Sequence, residues 1–159
     1  SKKGLDVTAV MPSGIIGPYD YKKDYTTQMI IDFCSKAIAV GVDGRYDFVD
    51  VRDVSLGIIS AIEKGKRGEA YILSNKYIEI KELFKLLSEV TKKNNVKTYL
   101  PKWSAEPEIP YSTVVLGANS SLSHEKADKE LNYETRDFEE TIYDTVGFLK
   151  KEKLVRVIK

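Results

Sequence analysis

Residues 5–18 read Leu-Asp-Val-Thr-Ala-Val-Met followed by Pro-Ser-Gly-Ile-Ile-Gly-Pro, and this stretch decides the fold class of the chain. Apolar residues with polar residues at alternate positions predict a β-strand over 5–11 that stops abruptly at Pro12-Ser13-Gly14. Two glycines in the following loop allow the backbone to approach a ligand closely, and Ile15 and Ile16 offer an apolar wall. Because ligands of open α/β sheets bind just beyond the carboxyl ends of the strands, we predict a binding site in this loop.

Outward from this stretch, helix-like and strand-like segments alternate along the chain, which is typical of an α/β fold. A parallel sheet needs neighbouring strands, so the sequence reads as if it begins in the middle of a domain. We predict helices at 26–38, 54–64, 80–91, 123–132 and 138–151, and further strands at 40–44, 45–51, 69–73 and 96–100. Residues 101–110, with three prolines, predict an irregular connection, and residues 152–159 a charged tail that can form a strand.

Several of the predicted helix ends carry capping residues, among them Ser123 at the start of the fourth helix and Asn132, in the left-handed conformation, at its end. Asp53 is predicted to cap the helix over 54–64 and Gly65 to end it, while Asp50 is predicted to bond to nearby backbone. Catalytic roles for these two carboxylates are the less favoured alternative. Asp137 has capping-box spacing to Glu140 at the start of the last helix.

The composition is that of a globular chain large enough for one core. Its 159 residues are 42% hydrophobic and 31% charged, with a net charge of +1. We therefore expect no binding to nucleic acid or to a membrane surface. The single cysteine, Cys34, excludes an internal disulfide and fits a reducing compartment, so we expect a cytoplasmic protein. The single histidine, His124, does not favour a metal site or a histidine-based triad.

Three side chains are candidates to bind a small-molecule substrate. Tyr19 and Tyr21 follow the loop and border a predicted cleft, with packing as amphipathic surface an equal alternative. Arg52 is a candidate to reach a substrate or a nucleotide phosphate, with a surface salt bridge as the equal alternative.

Four segments, in order and spread over nearly the whole chain, carry a family resemblance. They are the strand and loop through residue 18, Phe-Val-Asp-Val-Arg-Asp-Val at 48–54, Gly-Glu-Ala-Tyr-Ile-Leu-Ser at 68–74, and the pair of segments at 123–133 and 139–141. Together they resemble the extended short-chain dehydrogenase/reductases. The nearest group is the NAD-dependent epimerase/dehydratases, close to the dihydroflavonol-reductase-like and 3β-hydroxysteroid-dehydrogenase-like members, and the resemblance is to their C-terminal part.

The resemblance implies a fold and a division of the chain. Residues 1–20 and 54–75 correspond to the last strands of a Rossmann-type parallel sheet and its cofactor domain, and 21–53 and 76–159 to a small α/β substrate domain. It also implies that Pro12, Ser13, Gly14, Ile15 and Ile16 lie beside the nicotinamide of NAD or NADP. In a complete enzyme of this family, hydride passes between the nicotinamide and a carbonyl or hydroxyl carbon of a small molecule or sugar, with a tyrosine as acid-base.

The chain departs from the family pattern in its catalytic and phosphate-binding parts. Its closely spaced glycines form the pairs Gly14/Gly17, Gly41/Gly44 and Gly65/Gly68, and none of them forms the triple that opens a dinucleotide site. The pairs Tyr19/Lys23 and Tyr77/Lys81 have the family's acid-base spacing but not its position, so we interpret both as chance matches. We therefore expect this chain alone to be non-catalytic and to bind NAD or NADP weakly or not at all.

These departures leave two functional hypotheses and one expectation about partners. The chain is either the substrate-side part of such an enzyme, whose partner is the missing N-terminal cofactor-binding half, or a non-catalytic module that binds a small molecule or another protein. Uncovered strands and apolar helix faces also predict self-association.

Overall fold

A computed structural model describes residues 4–94, 96–101 and 121–155. Within these ranges the chain is a mixed α/β fold, as predicted. The strands are β1 (Ala9–Pro12), β2 (Gly14–Ile16), β3 (Val40–Val42), β4 (Arg45–Asp50), β5 (Ala70–Leu73), β6 (Lys76–Glu79) and β7 (Thr98–Leu100). The helices are α1 (Tyr25–Ser35), α2 (Val51–Lys64), α3 (Ile80–Thr91), α4 (Glu125–Leu131) and α5 (Phe138–Lys151). None of these helices combines the length and apolar character needed to cross a membrane.

The described strands form three small sheets. β1 runs parallel to β5, with Ala9 opposite Ala70. In the second sheet β4 is central, parallel to β2 and antiparallel to β6. β3 pairs in parallel with β7, so it does not form a hairpin with β4 across the turn at Asp43 and Gly44.

The predicted loop at 12–18 contains a strand, so the prediction of a continuous loop is wrong. Gly14 lies opposite Phe48 in the parallel ladder of β2 and β4. Ser13 is the single residue between β1 and β2, and its backbone N–H donates to the carbonyl of Leu73 at 3.0 Å. The chain thus crosses from the first sheet to the second at Ser13. The first strand is also shifted, since β1 covers 9–12 rather than 5–11.

Two hydrophobic clusters support the sheets. The larger core packs α1, α3 and α5 against β2, β4 and β6, and includes the predicted α1 residues Met29, Ile30, Phe33 and Cys34. The smaller core joins α2 and α4 to β1 and β5. Its buried residues are Val49, Val54, Ala61, Tyr71, Leu73, Ala127, Leu131 and Tyr133. The division into cofactor-domain and substrate-domain portions stays a prediction, and α4 packs with the portion assigned to the cofactor domain.

The helix ends confirm some capping predictions and correct others. α3 and α5 have the predicted bounds, and the Asp137 side chain accepts the N–H of Glu139 at 2.7 Å. The cap assigned to Asp53 is wrong, because α2 begins at Val51 and its N-cap is Asp50. Ser123 is not the N-cap of α4 either, since that position belongs to His124.

The remaining predictions concern the segments between the regular elements and the chain end. The strand β6 was not predicted, and residues 152–155 form no strand. Asn132 closes α4 in the left-handed conformation, with φ 53°, as predicted. The predictions for 102–110 and for the last four residues fall outside the described part of the chain.

Candidate functional site

The five residues predicted to lie beside a cofactor differ in their exposure. Pro12 is exposed, Gly14 and Ile15 are half-buried, and Ile16 is buried in the larger core. The hydroxyl of Ser13 is buried and has no hydrogen-bond partner in the described structure. Of these residues, therefore, Pro12 is the exposed one. The contact of all five residues with a cofactor stays a prediction.

Both glycines of this segment are explained by packing within the chain. A Cβ on Gly14 would lie 2.2 Å from Cε1 of Tyr46 and 3.0 Å from the backbone oxygen of Asp47. Gly17 has φ +146°, and a Cβ there would lie 2.7 Å from Cγ1 of Val51. Close approach of a ligand, the reason suggested by the sequence, is not needed to account for either glycine.

The turn after Gly17 presents two tyrosines on the surface of α5. The rings of Tyr19 and Tyr21 meet Phe148 edge-on, with centroids 5.5 and 5.4 Å away. Both tyrosines are exposed, at 62% and 70%. Tyr19 lies in the left-handed region with φ 75°, a conformation that costs a non-glycine residue about 1–2 kcal/mol. The carboxylate of Asp20 fixes the turn by accepting three backbone N–H groups, those of Lys22, Lys23 and Asp24.

The Arg52 guanidinium is bound between two carboxylates. It donates to Asp50 through Nε at 3.0 Å and through the second terminal nitrogen at 2.7 Å, and to Asp144 at 2.6 Å. Burial of Asp50 disfavours its charge, but the hydrogen bonds from Arg52 and Thr141 and the charge of Arg52 together outweigh this and lower the pKa of Asp50. The structure thus shows an ion pair for Arg52, and substrate contact, which stays a prediction, would have to use its remaining N–H groups.

A second ion pair lies beside the first and was not predicted. Arg136 donates to the two oxygens of Asp53, from Nε at 2.8 Å and from the backbone N–H at 2.9 Å. Arg136 Nε also lies 3.7 Å from a carboxylate oxygen of Asp50. Asp53 is buried, with 2% of its surface exposed. The two pairs fasten the first turn of α2 to α5 and to the segment that precedes it.

The three predicted substrate residues lie along one side of α5. Tyr19 and Tyr21 contact Phe148, and Arg52 contacts Asp144, which is one helical turn earlier on the same face. The structure therefore brings these residues to one surface. No local sequence signal would have identified α5 as the element that joins them.

The outer α2 face, formed by Leu56, Ile58, Ile59 and Ile62, is apolar and exposed. Ile62 is 80% exposed, and the others range from 41% to 56%. Val7 and Met11, at and before β1, are also about half exposed, at 52% and 47%. In the described part of the chain, β1 pairs with β5 alone. Exposed apolar surface of this kind marks a site of contact with another chain segment or protein.

Comparison with known proteins identifies relatives but no matching family model. A putative dihydroflavonol 4-reductase of Synechocystis is 28% identical over 177 aligned residues, which cover 98% of this chain and 52% of the relative. Sterol demethylase protein B of Methylococcus capsulatus is 37% identical over 89 residues, covering 56% of this chain and 27% of the relative. The chain thus spans about half of the first relative and less of the second.

Solved structures likewise match nearly the whole of this chain with about half of their own length. The protein gox2253 superimposes with a TM-score of 0.84 at 28% identity, over 98% of this chain and 52% of its own. A nucleoside-diphosphate-sugar epimerase from Pseudomonas aeruginosa gives a TM-score of 0.85 at 20% identity, over 98% of this chain and 51% of the epimerase chain. UDP-glucuronic acid 4-epimerase from Bacillus cereus, in complex with UDP-glucuronic acid and NAD, gives a TM-score of 0.73 at 16% identity. The match covers 93% of this chain and 46% of the epimerase chain.

The fold, the ordered sequence segments and these matches agree with one another. A C-terminal portion of a longer enzyme fits the coverage, which is nearly complete for this chain and about half for the partners. The chain is therefore similar in sequence to a putative dihydroflavonol 4-reductase and similar in fold to a nucleoside-diphosphate-sugar epimerase.

Proposed function

We propose that this chain is the substrate-side, C-terminal part of an NAD(P)-dependent oxidoreductase or epimerase/dehydratase. The reaction would take place at a carbonyl or hydroxyl carbon of a small molecule or sugar. The observation that carries this proposal is the half-length match, in which 98% of the chain covers 52% of a putative reductase. In this account an upstream half supplies the dinucleotide site and the acid-base residues.

The exposed apolar surfaces support the same account. Parallel strands are normally covered on both faces, yet Met11 within β1 is 47% exposed, and β1 has one strand partner in the described structure. The outer α2 face would likewise be buried by a neighbouring element. An upstream half of the sheet with its helices would cover both surfaces.

The residues present do not fit a whole dinucleotide. Pro12 is exposed at the carboxyl end of β1, where the nicotinamide end of a cofactor would lie. The sequence contains no glycine triple that would present backbone N–H groups to a pyrophosphate. The contribution proposed for this chain is therefore to close one end of the cofactor site and to shape the substrate side, with Tyr19 and Tyr21 facing that side.

We predict that the chain alone binds NADH and NADPH too weakly to detect at micromolar concentrations, because the pyrophosphate contacts are missing. Titration calorimetry measures this directly. A chimera that joins the upstream half of the Synechocystis relative to residues 1–159 is the matched comparison, and it should bind in the micromolar range. Micromolar binding by the chain alone, or no binding by a folded chimera, would contradict the proposal.

A second candidate function is a non-catalytic module that binds a small molecule or a second protein. The exposed aromatic surface of Tyr19 and Tyr21 on α5 is the observation that favours it. Intact mass and N-terminal sequencing of the natural gene product separate the two. An upstream extension that carries the glycine triple and the tyrosine–lysine pair supports the enzyme, and a natural start near Ser1 supports the module.

A further inference from the structure

A cleft with a volume of about 640 Å³ lies between α3 and β7. Small-molecule sites in proteins occupy clefts of about 300–1,000 Å³, so the α3–β7 cleft is large enough for a small organic ligand. One of its lining residues is Glu79, which pairs with Arg45 at the amino end of β4. Arg52, the candidate substrate residue, follows the carboxyl end of β4, and the two ends of that strand are roughly 17 Å apart. The cleft is therefore separate from the proposed substrate surface.

The floor of the cleft is apolar and closely packed. Phe84 and Val96 line it and are buried, with 4% and 7% of their surfaces exposed. Tyr99 lies opposite Gly41 in the ladder of β3 and β7. A Cβ on Gly41 would lie 2.6 Å from Cδ1 and Cε1 of the tyrosine ring and 3.2 Å from Val96. The absence of a side chain at Gly41 thus lets the ring of Tyr99 pack against β3 and form a wall of the cleft.

Three lysines surround this floor. Lys81 and Lys85 are four positions apart on α3, so they lie on the same side of the helix, and Lys97 comes from the segment before β7. Nζ of Lys81 lies 5.9 Å from the centroid of the Tyr99 ring, within the range of a cation–π contact. Among the described residues, neither Lys85 nor Lys97 has an ion-pair partner.

The acidic groups of the cleft do not balance these lysines. Glu79 is neutralised by Arg45 at 2.5 Å, which leaves Glu82 as the other acidic lining residue. Burial and the charge of Asp43 raise the pKa of Tyr99, so its phenol is neutral at pH 7. The lining therefore favours a ligand that carries negative charge.

The lysines and the apolar floor together match a ligand with a charged end and a planar body. Ammonium groups donate hydrogen bonds to phosphate or carboxylate oxygens, and an aromatic ring packs well on a tyrosine. We propose that the α3–β7 cleft binds a small aromatic anion that carries a phosphate or carboxylate group. This ligand would be distinct from the substrate and the cofactor of the proposed enzyme.

Titration of the full chain with phenyl phosphate, followed by backbone NMR shifts, tests this proposal. Saturable shifts are expected at residues 79–88 and 96–99, with a dissociation constant of about 1 mM for so small a ligand. Inorganic phosphate, the matched probe without a ring, should bind about tenfold more weakly because it leaves the apolar floor uncovered.

Variants of the cleft separate the contributions of charge and ring. Lys85→Gln and Lys97→Gln should each weaken phenyl phosphate binding by about twofold to fivefold, as expected for exposed charge pairs. Tyr99→Leu should reduce the preference for phenyl phosphate over inorganic phosphate by about threefold. Lys129→Gln on α4 removes the same charge outside the cleft and should leave binding unchanged.

Three results would overturn the proposal. They are no saturable shifts in the cleft, equal affinity for phenyl phosphate and inorganic phosphate, and equal weakening by Lys129→Gln and the two cleft variants. The last two would show only a general attraction of anions to surface lysines. The lysine variants change exposed side chains, so they decide the question even if Tyr99→Leu does not fold.

Discussion

Replacement of Asp53 by alanine is expected to destabilise the fold by about 3–5 kcal/mol, the usual cost of removing one partner of a buried ion pair. Asp53 is 2% exposed and accepts two hydrogen bonds from Arg136, one from the guanidinium and one from the backbone. The variant would leave both donors without their acceptor near α2. A simple N-cap, the role predicted from the sequence, would cost only about 1 kcal/mol.

Urea unfolding of the wild type and of Asp53→Ala measures the difference. Asp53→Asn is expected to fall between them, because the amide oxygen can still accept the backbone N–H. Lys129→Ala is the matched control, since it removes a pair with Glu125 in which both side chains are 70% exposed. That exposed pair should contribute less than about 1 kcal/mol. A loss of 1 kcal/mol or less for Asp53→Ala would show that the pair with Arg136 contributes little.

Gly14→Val is expected to destabilise the chain by roughly 1–3 kcal/mol or more in the absence of any cofactor, because the site cannot take a side chain without strain. A Cβ at this position would lie 2.2 Å from the ring of Tyr46 and 3.0 Å from the backbone oxygen of Asp47. The tyrosine ring can move, but the carbonyl belongs to β4. Thermal or urea unfolding of the isolated chain measures this effect.

Gly147→Ala is the control for Gly14→Val. Nothing lies within 4 Å of a Cβ at Gly147, which is in α5, so alanine should stabilise the helix by up to about 1 kcal/mol. Unchanged stability of Gly14→Val would contradict the packing explanation. If that variant instead lost only cofactor affinity in a whole enzyme, the glycine would be required for close approach of a ligand.

Elements defined by local signals were predictable from the sequence. α3 was predicted over its full length because Leu83, Phe84 and Leu87 repeat at helical spacing and face the core. α5 was predicted from its capping aspartate, Asp137. These features depend on residues within a few positions of one another.

Features that depend on distant partners were not predictable. The strand β2 exists because Gly14 pairs with Phe48, and a proline- and glycine-rich segment read alone predicts a loop. Asp53 was predicted as the cap of α2, but Asp50 is its N-cap, and Asp53 instead pairs with Arg136, 83 positions away. The same holds for the candidate site. Tyr19 and Arg52 were predicted individually as candidate substrate residues, but their common position along α5 depends on tertiary packing.

We propose that this chain is one part of a larger folded unit, whose other part would cover its exposed apolar surfaces. Sedimentation velocity combined with a dye that reports exposed apolar surface tests it most directly. The comparison is between the wild type and a variant with Ile59→Glu and Ile62→Glu on the outer α2 face, with Tyr143→Glu as a control at an exposed position on α5. We predict that the wild type self-associates and binds the dye, that the double variant does both less, and that the control behaves as the wild type. A compact wild-type monomer that binds no dye would contradict the account and favour an independently folded module.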